Sequence, residues 1–500
     1  MIYLKNKVCL LLLLVVLDVQ GQNFDTLKAI SASGGHDSLK VLALIDIANH
    51  YRSGQIDSAV YYGEMALDLA ESKNMQPFPE YENLALTRLG LIYGYSDTVK
   101  LKGIEYLKKA LPYYQQQHDL EQLAYNYFCI GYFFASHLQE NDSAVFYFTQ
   151  ATNLSDTLNT RYVSGSYNNG GLAMFHSGNY EGALDFYLKA VKMRKEVGSS
   201  YDIACSVLNV GMAYDKLGQF ESAKRSYFEA LEGFRSAGHV SNEAVSLKDI
   251  GDVLTAQDSL EKALEYYDAA SVLFKKVENI YLLSDCFLNM STIFMKLGEH
   301  EKALNFLIDA ERNLPEDASY RFKAQVYAHL SKTSLALADS VYRDIPAKRF
   351  KTLNIGAVYG ETARAYADTS ESLEVKILAL NPLVNIYDGL GMHEKALHYS
   401  RLLAENQEVS YKQVQSEAMA RMSTKYETDR IQGENELLLA SKRTQEARLK
   451  QQQYLIAAAL LVVLLLLVTG MVVLNSRKRL KKANHTIQTA LSEKETLLKE

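Results

Sequence analysis

Along the middle of the chain, apolar and polar positions recur with a period of forty residues. Short turns punctuate the pattern: "SGQIDSA" (53–59), "SGNYEGA" (177–183), "LGQFESA" (217–223), "QDSLEKA" (257–263), "LGEHEKA" (297–303) and "LGMHEKA" (390–396). The closing alanines Ala183, Ala223, Ala263 and Ala303 stand 40, 40 and 40 residues apart, a regularity that marks internal repetition. Gly171, Gly211 and Gly251 sit twelve residues before an alanine, where a small residue lets a paired helix approach closely. Tyr187, Tyr227, Tyr267 and Leu307 follow at +4, then Ala190, Ala230, Ala270 and Ala310 at +7. That spacing is one face of an amphipathic helix. Each unit therefore reads as a helical hairpin whose apolar face needs a neighbour, and the units stack into an all-α solenoid.

The order G-x2-[YLMF], then Gly, then A-x3-[YFL]-x2-A resembles the tetratricopeptide repeat, with helices longer than usual for that family. Weaker copies fit at Gly131 with Ala144, Phe148 and Ala151, and at Gly90 with Gly103, Leu107 and Ala110. Ala48, Ala59 and Ala66 give a first unit, and residues 318–370 read as a degenerate pair. The resemblance covers residues 25–410 and implies a superhelical solenoid whose first helices line a concave groove.

Two apolar runs stand outside the repeats. In "MIYLKNKVCLLLLLVVLDVQGQ", Lys5 and Lys7 precede the apolar stretch Val8 to Leu17, and Val19 and Gly21 occupy plausible cleavage positions. Residues 1–21 read as a secretory signal peptide; an uncleaved anchor would leave the topology unchanged. The second run, Tyr454 to Leu474, is long enough as a helix to span a bilayer. Arg477, Lys478, Arg479, Lys481 and Lys482 follow it, and Lys442, Arg443, Arg448 and Lys450 precede it, so charge alone orients it only mildly. The signal sequence decides: a single-pass protein of the inner, cytoplasmic membrane, with a periplasmic or extracellular repeat domain and residues 475–500 in the cytoplasm.

At 500 residues the chain exceeds one core. Six prolines, no tryptophan and 34 tyrosines suit a helical chain with recurrent aromatic packing, and a net charge of -6 argues against nucleic acid. Cys129, Cys205 and Cys286 lie in apolar helical patterns at wide spacing, which reads as buried thiols rather than a disulfide or zinc framework.

At one repeat position, six residues into each first helix, stand Asn169, Asn209, Asp249 and Asn289. Such a ladder can hydrogen-bond an extended peptide backbone without reading its sequence, so these are the candidate ligand-binding residues. Local capping or packing within the repeat is the other reading, and both stay open. Elsewhere apparent sites dissolve. His393 and His398 in "HEKALH" are five apart, which turns the second about 140° away from the first, whereas a zinc helix needs i and i+4. "DGLG" (388–391) falls at a repeat turn. No catalytic residue, metal ligand or cofactor is assigned within residues 1–500.

Residues 411–453 read as a helical stalk, with Met419, Met422 and Tyr426 at 3-4 spacing before a break at Asp429 and Gly433; a coiled coil stays open. The stalk either transmits a change in repeat curvature to the span or is passive. Beyond the span comes a linker helix, 475–500, ending in "LSEKETLLKE". That motif is similar to the lead-in of a histidine-kinase subfamily in which "EKE-x-LL-KE" precedes the phosphoacceptor helix. The resemblance implies a two-component sensor histidine kinase, a homodimer, whose kinase module beyond residue 500 uses ATP and Mg and phosphorylates a response regulator. His485, in "KKANHTIQT", lacks the charged neighbour an acceptor carries. Alternatives are the same receptor fused to a helix-turn-helix transcription regulator, or an anchored protein-binding scaffold.

Overall fold

A computed structural model describes residues 24–497 except 73, 96–99, 156 and 159. The signal sequence therefore lies outside the described residues, as do the last three residues of the kinase-like motif. The chain divides into two compact units, up to Leu403 and from Ala404, and among the described residues all regular structure is helical.

In the first unit, α1 (Phe24–Ala32) precedes a series of hairpins. They are α2 (Asp37–Tyr51) with α3 (Ile56–Ala70), α4 (Pro79–Gly94) with α5 (Lys100–Gln117), and α6 (Leu120–Phe133) with α7 (Asn141–Thr152). Next come α8 (Arg161–His176) with α9 (Tyr180–Val197), α10 (Ser200–Lys216) with α11 (Phe220–Ala237), α12 (Val240–Ala256) with α13 (Leu260–Lys276), and α14 (Ile280–Lys296) with α15 (His300–Arg312). The stretch read as degenerate, 318–370, contains a hairpin of longer helices, α16 (Tyr320–Ser340) and α17 (Pro346–Ser370), which is why the forty-residue period fails there. α18 (Leu373–Gly389) follows, and its Tyr387 stacks 5.5 Å from Tyr399 at the start of α19 (His393–Leu497).

Local chemistry sets the boundaries. Asp119, Asn179 and Asn279 accept the backbone N–H three residues on at 3.0–3.1 Å, and Ser199 with Asp202 forms a reciprocal capping box. At the hairpin turns Gly178, Gly218 and Gly298 have φ between +71° and +79°, the left-handed geometry that glycine adopts at no steric cost. Asp258 occupies the same register with φ +57°, and a Cβ there is strained by roughly 1 kcal/mol. Asp258→Gly is accordingly expected to stabilise its hairpin by about that amount, read as a raised urea midpoint; an unchanged or lowered midpoint would show that the turn carries no such strain.

Between hairpin helices the core repeats one contact. A Cβ placed on Gly171, Gly211 or Gly251 would lie 2.8, 2.6 or 2.9 Å from the ring of Tyr187, Tyr227 or Tyr267. The tyrosine thus fills the space the missing side chain leaves. One repeat later the pair becomes Ser291 and Leu307, both fully buried, a larger residue facing a smaller one, which conserves volume. Cys129 and Cys286 are buried and Cys205 half-buried, all as free thiols.

The second unit is the rest of α19, helical through Gly433. It contains one segment long and apolar enough to cross a membrane, and its leucines from Leu460 to Leu467 are exposed.

Candidate functional site

The positions predicted to form a ladder lie nine or ten residues into α8, α10, α12 and α14, not six, because those helices begin a turn earlier than the sequence pattern suggested. All four are half-buried, and each is engaged by or beside another polar side chain. Asn168 Nδ2 donates to Asn169 Oδ1 at 3.3 Å, while Asn209 Nδ2 and Ser206 Oγ both donate to Asn168 Oδ1 at 3.1 Å. Asn169 and Asn209, on successive first helices, are therefore joined through Asn168. Asn289 Nδ2 donates to Asp252 Oδ1 at 3.4 Å, and Asp249 lies 3.6 Å from Lys248 Nζ. The four residues thus belong to two polar networks rather than one uniform row.

The second network is a charge cluster. Lys248 Nζ stands 2.7 Å from Asp252 Oδ2 and 3.6 Å from both Asp249 and Asp285. Tyr267 donates its hydroxyl to Asp252 Oδ1 at 2.6 Å. Burial disfavours the Lys248 ammonium, yet Asp252, Asp249 and Asp285 together hold it above its ordinary value. Burial pushes Asp249 up to about 7 against the pull of Lys248, with Asp252 and Asp215 adding to the rise. Asp285 and Asp215 are raised too, again chiefly by burial. One cation holds three carboxylates, with a fourth nearby, on the first-helix face of α10, α12 and α14.

The first network borders a cavity of about 530 Å³ lined by Phe128, Arg161, Tyr162, Asn169, Arg194 and Asp202. The Tyr162 ring packs 4.7 Å from Tyr125 and 6.2 Å from Phe128, giving an aromatic wall. Arg194 Nη1 donates at 2.8 Å to the Asp202 carbonyl and to Ser206 Oγ. Burial lowers the Arg194 guanidinium against the opposing pull of Asp202, and the like charge of Arg161 lowers it further. Asp202 resists its own burial through bonds from Ser199 and the nearby arginines, and its carboxyl lies below the usual range.

Asn168, Lys248, Asp252, Arg161 and Arg194 escaped the sequence reading, although the repeat carries a signal. Lys248 occupies the register of Leu208 and Leu288, and Arg194 that of Phe234 and Phe274. A charge where the period demands a core residue marks a departure worth reading. His393, by contrast, pairs with Asp388 at 2.9 Å at the turn, and among the described residues no group of three His, Cys, Asp or Glu is arranged to hold a metal ion.

Comparison with known proteins agrees on the fold. Residues 167–353 match the family described as Soluble NSF attachment protein, SNAP, and no curated protein is detectably similar in sequence. Among solved structures, the apo form of RapI is 15% identical, with a TM-score of 0.52 over 74% of this chain and 98% of that one. The apo form of the quorum sensor NprR from B. thuringiensis is 18% identical, with a TM-score of 0.49 over 73% of this chain and 97% of that one. A signal transduction ATPase with numerous domains and a tetratricopeptide repeat sensor, from Pyrococcus horikoshii, is 19% identical with a TM-score of 0.44. The alignment covers 67% of this chain and only 55% of that protein's length. In architecture, an array of helical hairpins, the chain is similar to the apo form of RapI.

Proposed function

We propose that this chain is the signal-receiving and membrane-spanning part of a two-component sensor histidine kinase. Its repeat domain, outside the cytoplasmic membrane, binds a peptide or protein along the first-helix face. The span and linker helix carry the response to a dimeric kinase module encoded beyond residue 500, which uses ATP and Mg and passes the phosphoryl group to a response regulator. ATP and Mg belong to that module, and no residue described here is assigned to them.

The observation that carries the binding half is the polar first-helix face itself. Asn169, Asn209, Asp249 and Asn289 keep half-buried amide and carboxylate groups at one repeat position over four hairpins, groups of the kind that hydrogen-bond an extended backbone. The apolar run 454–474 supports the span, since leucines exposed along a lone helix need a non-aqueous surrounding. The kinase assignment is supported by the "LSEKETLLKE" motif alone.

The test uses the full chain in detergent micelles, a random octapeptide mixture, and mass spectrometry of what is retained. Wild type should retain a subset, and the triple variant Asn169→Ala, Asn209→Ala, Asn289→Ala should retain at least about tenfold less, as the loss of several hydrogen bonds implies. Its melting temperature should fall by only a few degrees. Absence of retention by wild type, or undiminished retention by the variant, would sink the binding half. Reading the coding sequence past codon 500 tests the output half: a phosphoacceptor helix supports the kinase, and a helix-turn-helix or a stop codon removes it.

A further inference from the structure

One unit breaks the neutral pattern of the first-helix face at three registers, and the units on either side add two more. In α12, Lys248 stands where α10 and α14 carry Leu208 and Leu288, Asp249 where they carry Asn209 and Asn289, and Asp252 where they carry Met212 and Thr292. Asp285 of α14 takes the register of Cys205 and Val245, and Asp215 of α10 that of Thr255 and Met295. Five charged side chains thus gather on three successive first helices. Of the five, Asp249 alone sits in the row of asparagines.

The five do not balance. Lys248 Nζ lies 2.7 Å from Asp252, which also accepts the Tyr267 hydroxyl and the Asn289 amide, and stands 3.6 Å from both Asp249 and Asp285. Against its burial, the three carboxylates hold the ammonium above its ordinary value, so Lys248 stays charged. Asp249 is the member poised to change: burial pushes its carboxyl up to about 7 against the pull of Lys248, and Asp252 and Asp215 add to the rise. Burial also raises Asp285, opposed by Lys248, and Asp215, opposed by Lys216 beside it. The other titratable groups that face the cluster stay neutral. Tyr227 from α11, Tyr267 from α13, and Tyr281 and Cys286 from α14 are all pushed above their ordinary values, chiefly by burial. A protonated Asp has the shape of Asn and, like it, both donates and accepts a hydrogen bond, whereas the carboxylate only accepts.

We propose that Asp249 is a proton-operated switch in the array: protonated, it is the neutral counterpart of the asparagines in its row and lets α10, α12 and α14 close on one another; ionised, it adds a charge beside Asp215, Asp252 and Asp285 and loosens them. The geometry supplies the means, because the carboxylates belong to three different helices and their repulsion acts across the joints between hairpins. The middle of the array then responds to pH with no ligand bound, which goes beyond the peptide reading above.

Hydrogen exchange of the full chain in detergent micelles tests this at about pH 5 and about pH 8, with each amide's rate divided by that of an unstructured chain at the same pH. A carboxyl whose folded value is raised supports the folded state fully below its unfolded value, near 4, and that support is lost as pH rises through the folded value. Wild-type amides of α10, α12 and α14 should therefore lose about tenfold or more of their protection between the two conditions. Asp249→Asn, neutral at both, should match wild type at the lower pH and exceed it by about tenfold at the higher. Asp249→Ser, also neutral but smaller, should share the flat profile even where its overall protection is lower, so the slope and not the level is the readout. Asp268→Asn, at an exposed position of α13, should keep the wild-type slope. Equal wild-type protection at both conditions overturns the proposal. A wild-type slope that persists in Asp249→Asn or Asp249→Ser, or that disappears in Asp268→Asn, also overturns it, by assigning the response to another group.

Discussion

Replacing Lys248 by Met is expected to lower the unfolding free energy of the repeat array by about 3–5 kcal/mol near neutral pH, and the deficit is expected to shrink in acid. Lys248 is only 15% exposed and, among the described residues, is the sole cation within 4 Å of Asp249, Asp252 and Asp285. Met preserves the apolar stem and removes only the charge, leaving carboxylates half-buried with no counter-ion, a far costlier state than a broken surface pair. The pH dependence follows from linkage. A carboxyl whose folded pKa is raised contributes stability that is fully present below its unfolded value, near 4, and is lost as pH rises through the folded value. Asp249, already pushed up to about 7, and Asp285, also raised, are held down by Lys248; without it they rise further and the loss above neutrality deepens. His329 works in the opposite sense: burial lowers its imidazole to about 4, so its contribution disappears as pH falls below its ordinary value. It is common to both proteins and drops out of the difference. Denaturant titrations at about pH 4 and near neutrality measure the deficit, with the exposed pair Lys189–Asp185 as a control whose loss should cost no more than about 1 kcal/mol. A variant as stable as wild type near neutrality, or a deficit independent of pH, would show that the cluster is solvated and carries no such energy.

The architecture was legible because one physical demand recurs. Wherever Gly171, Gly211 and Gly251 meet Tyr187, Tyr227 and Tyr267, the same backbone separation is needed, and the sequence repeats the solution at the same interval. Helix starts were harder: the capping box at Ser199 begins α10 a turn before its apolar pattern does, so Asn209 falls deeper in the helix than its hydrophobic register implies. The candidate site was legible only in outline. Periodicity identifies what every unit shares, and it picked out Asn169, Asn209, Asp249 and Asn289 for being alike. The chemistry that distinguishes one stretch of the face from another lies in the residues that break the period, Arg194 among the phenylalanines and Lys248 among the leucines. Arg194 reaches Asp202 and Ser206 on the next helix, and Lys248 joins Asp249 and Asp252 of its own helix to Asp285 of α14, so the stacking of hairpins completes both clusters.

That stacking depends most severely on one place, and Gly103→Ala is expected to destabilise the first hairpins by about 3 kcal/mol. The added Cβ would lie 2.5 Å from both the Gly90 carbonyl oxygen and the Gly94 amide nitrogen. At Gly171 a flexible ring tip could turn aside, whereas here both obstacles are backbone atoms of α4, so α4 and α5 must move apart as bodies. Separation would also loosen Leu107, fully buried in α5 and the filler of the space left by Gly90. Because units of a repeat array are held by their neighbours, the damage should stay local before it spreads. Hydrogen exchange should show amides of α2 to α6 opening first while α10 to α15 keep wild-type protection, and the thermal transition should broaden or split. Gly54→Ala, where nothing lies within 4 Å of the new methyl group, is the control and should be nearly neutral. Uniform loss of protection along the whole array would mean that the hairpins unfold as a single cooperative block. A neutral Gly103→Ala would mean that the close approach of α4 and α5 is not required for their packing.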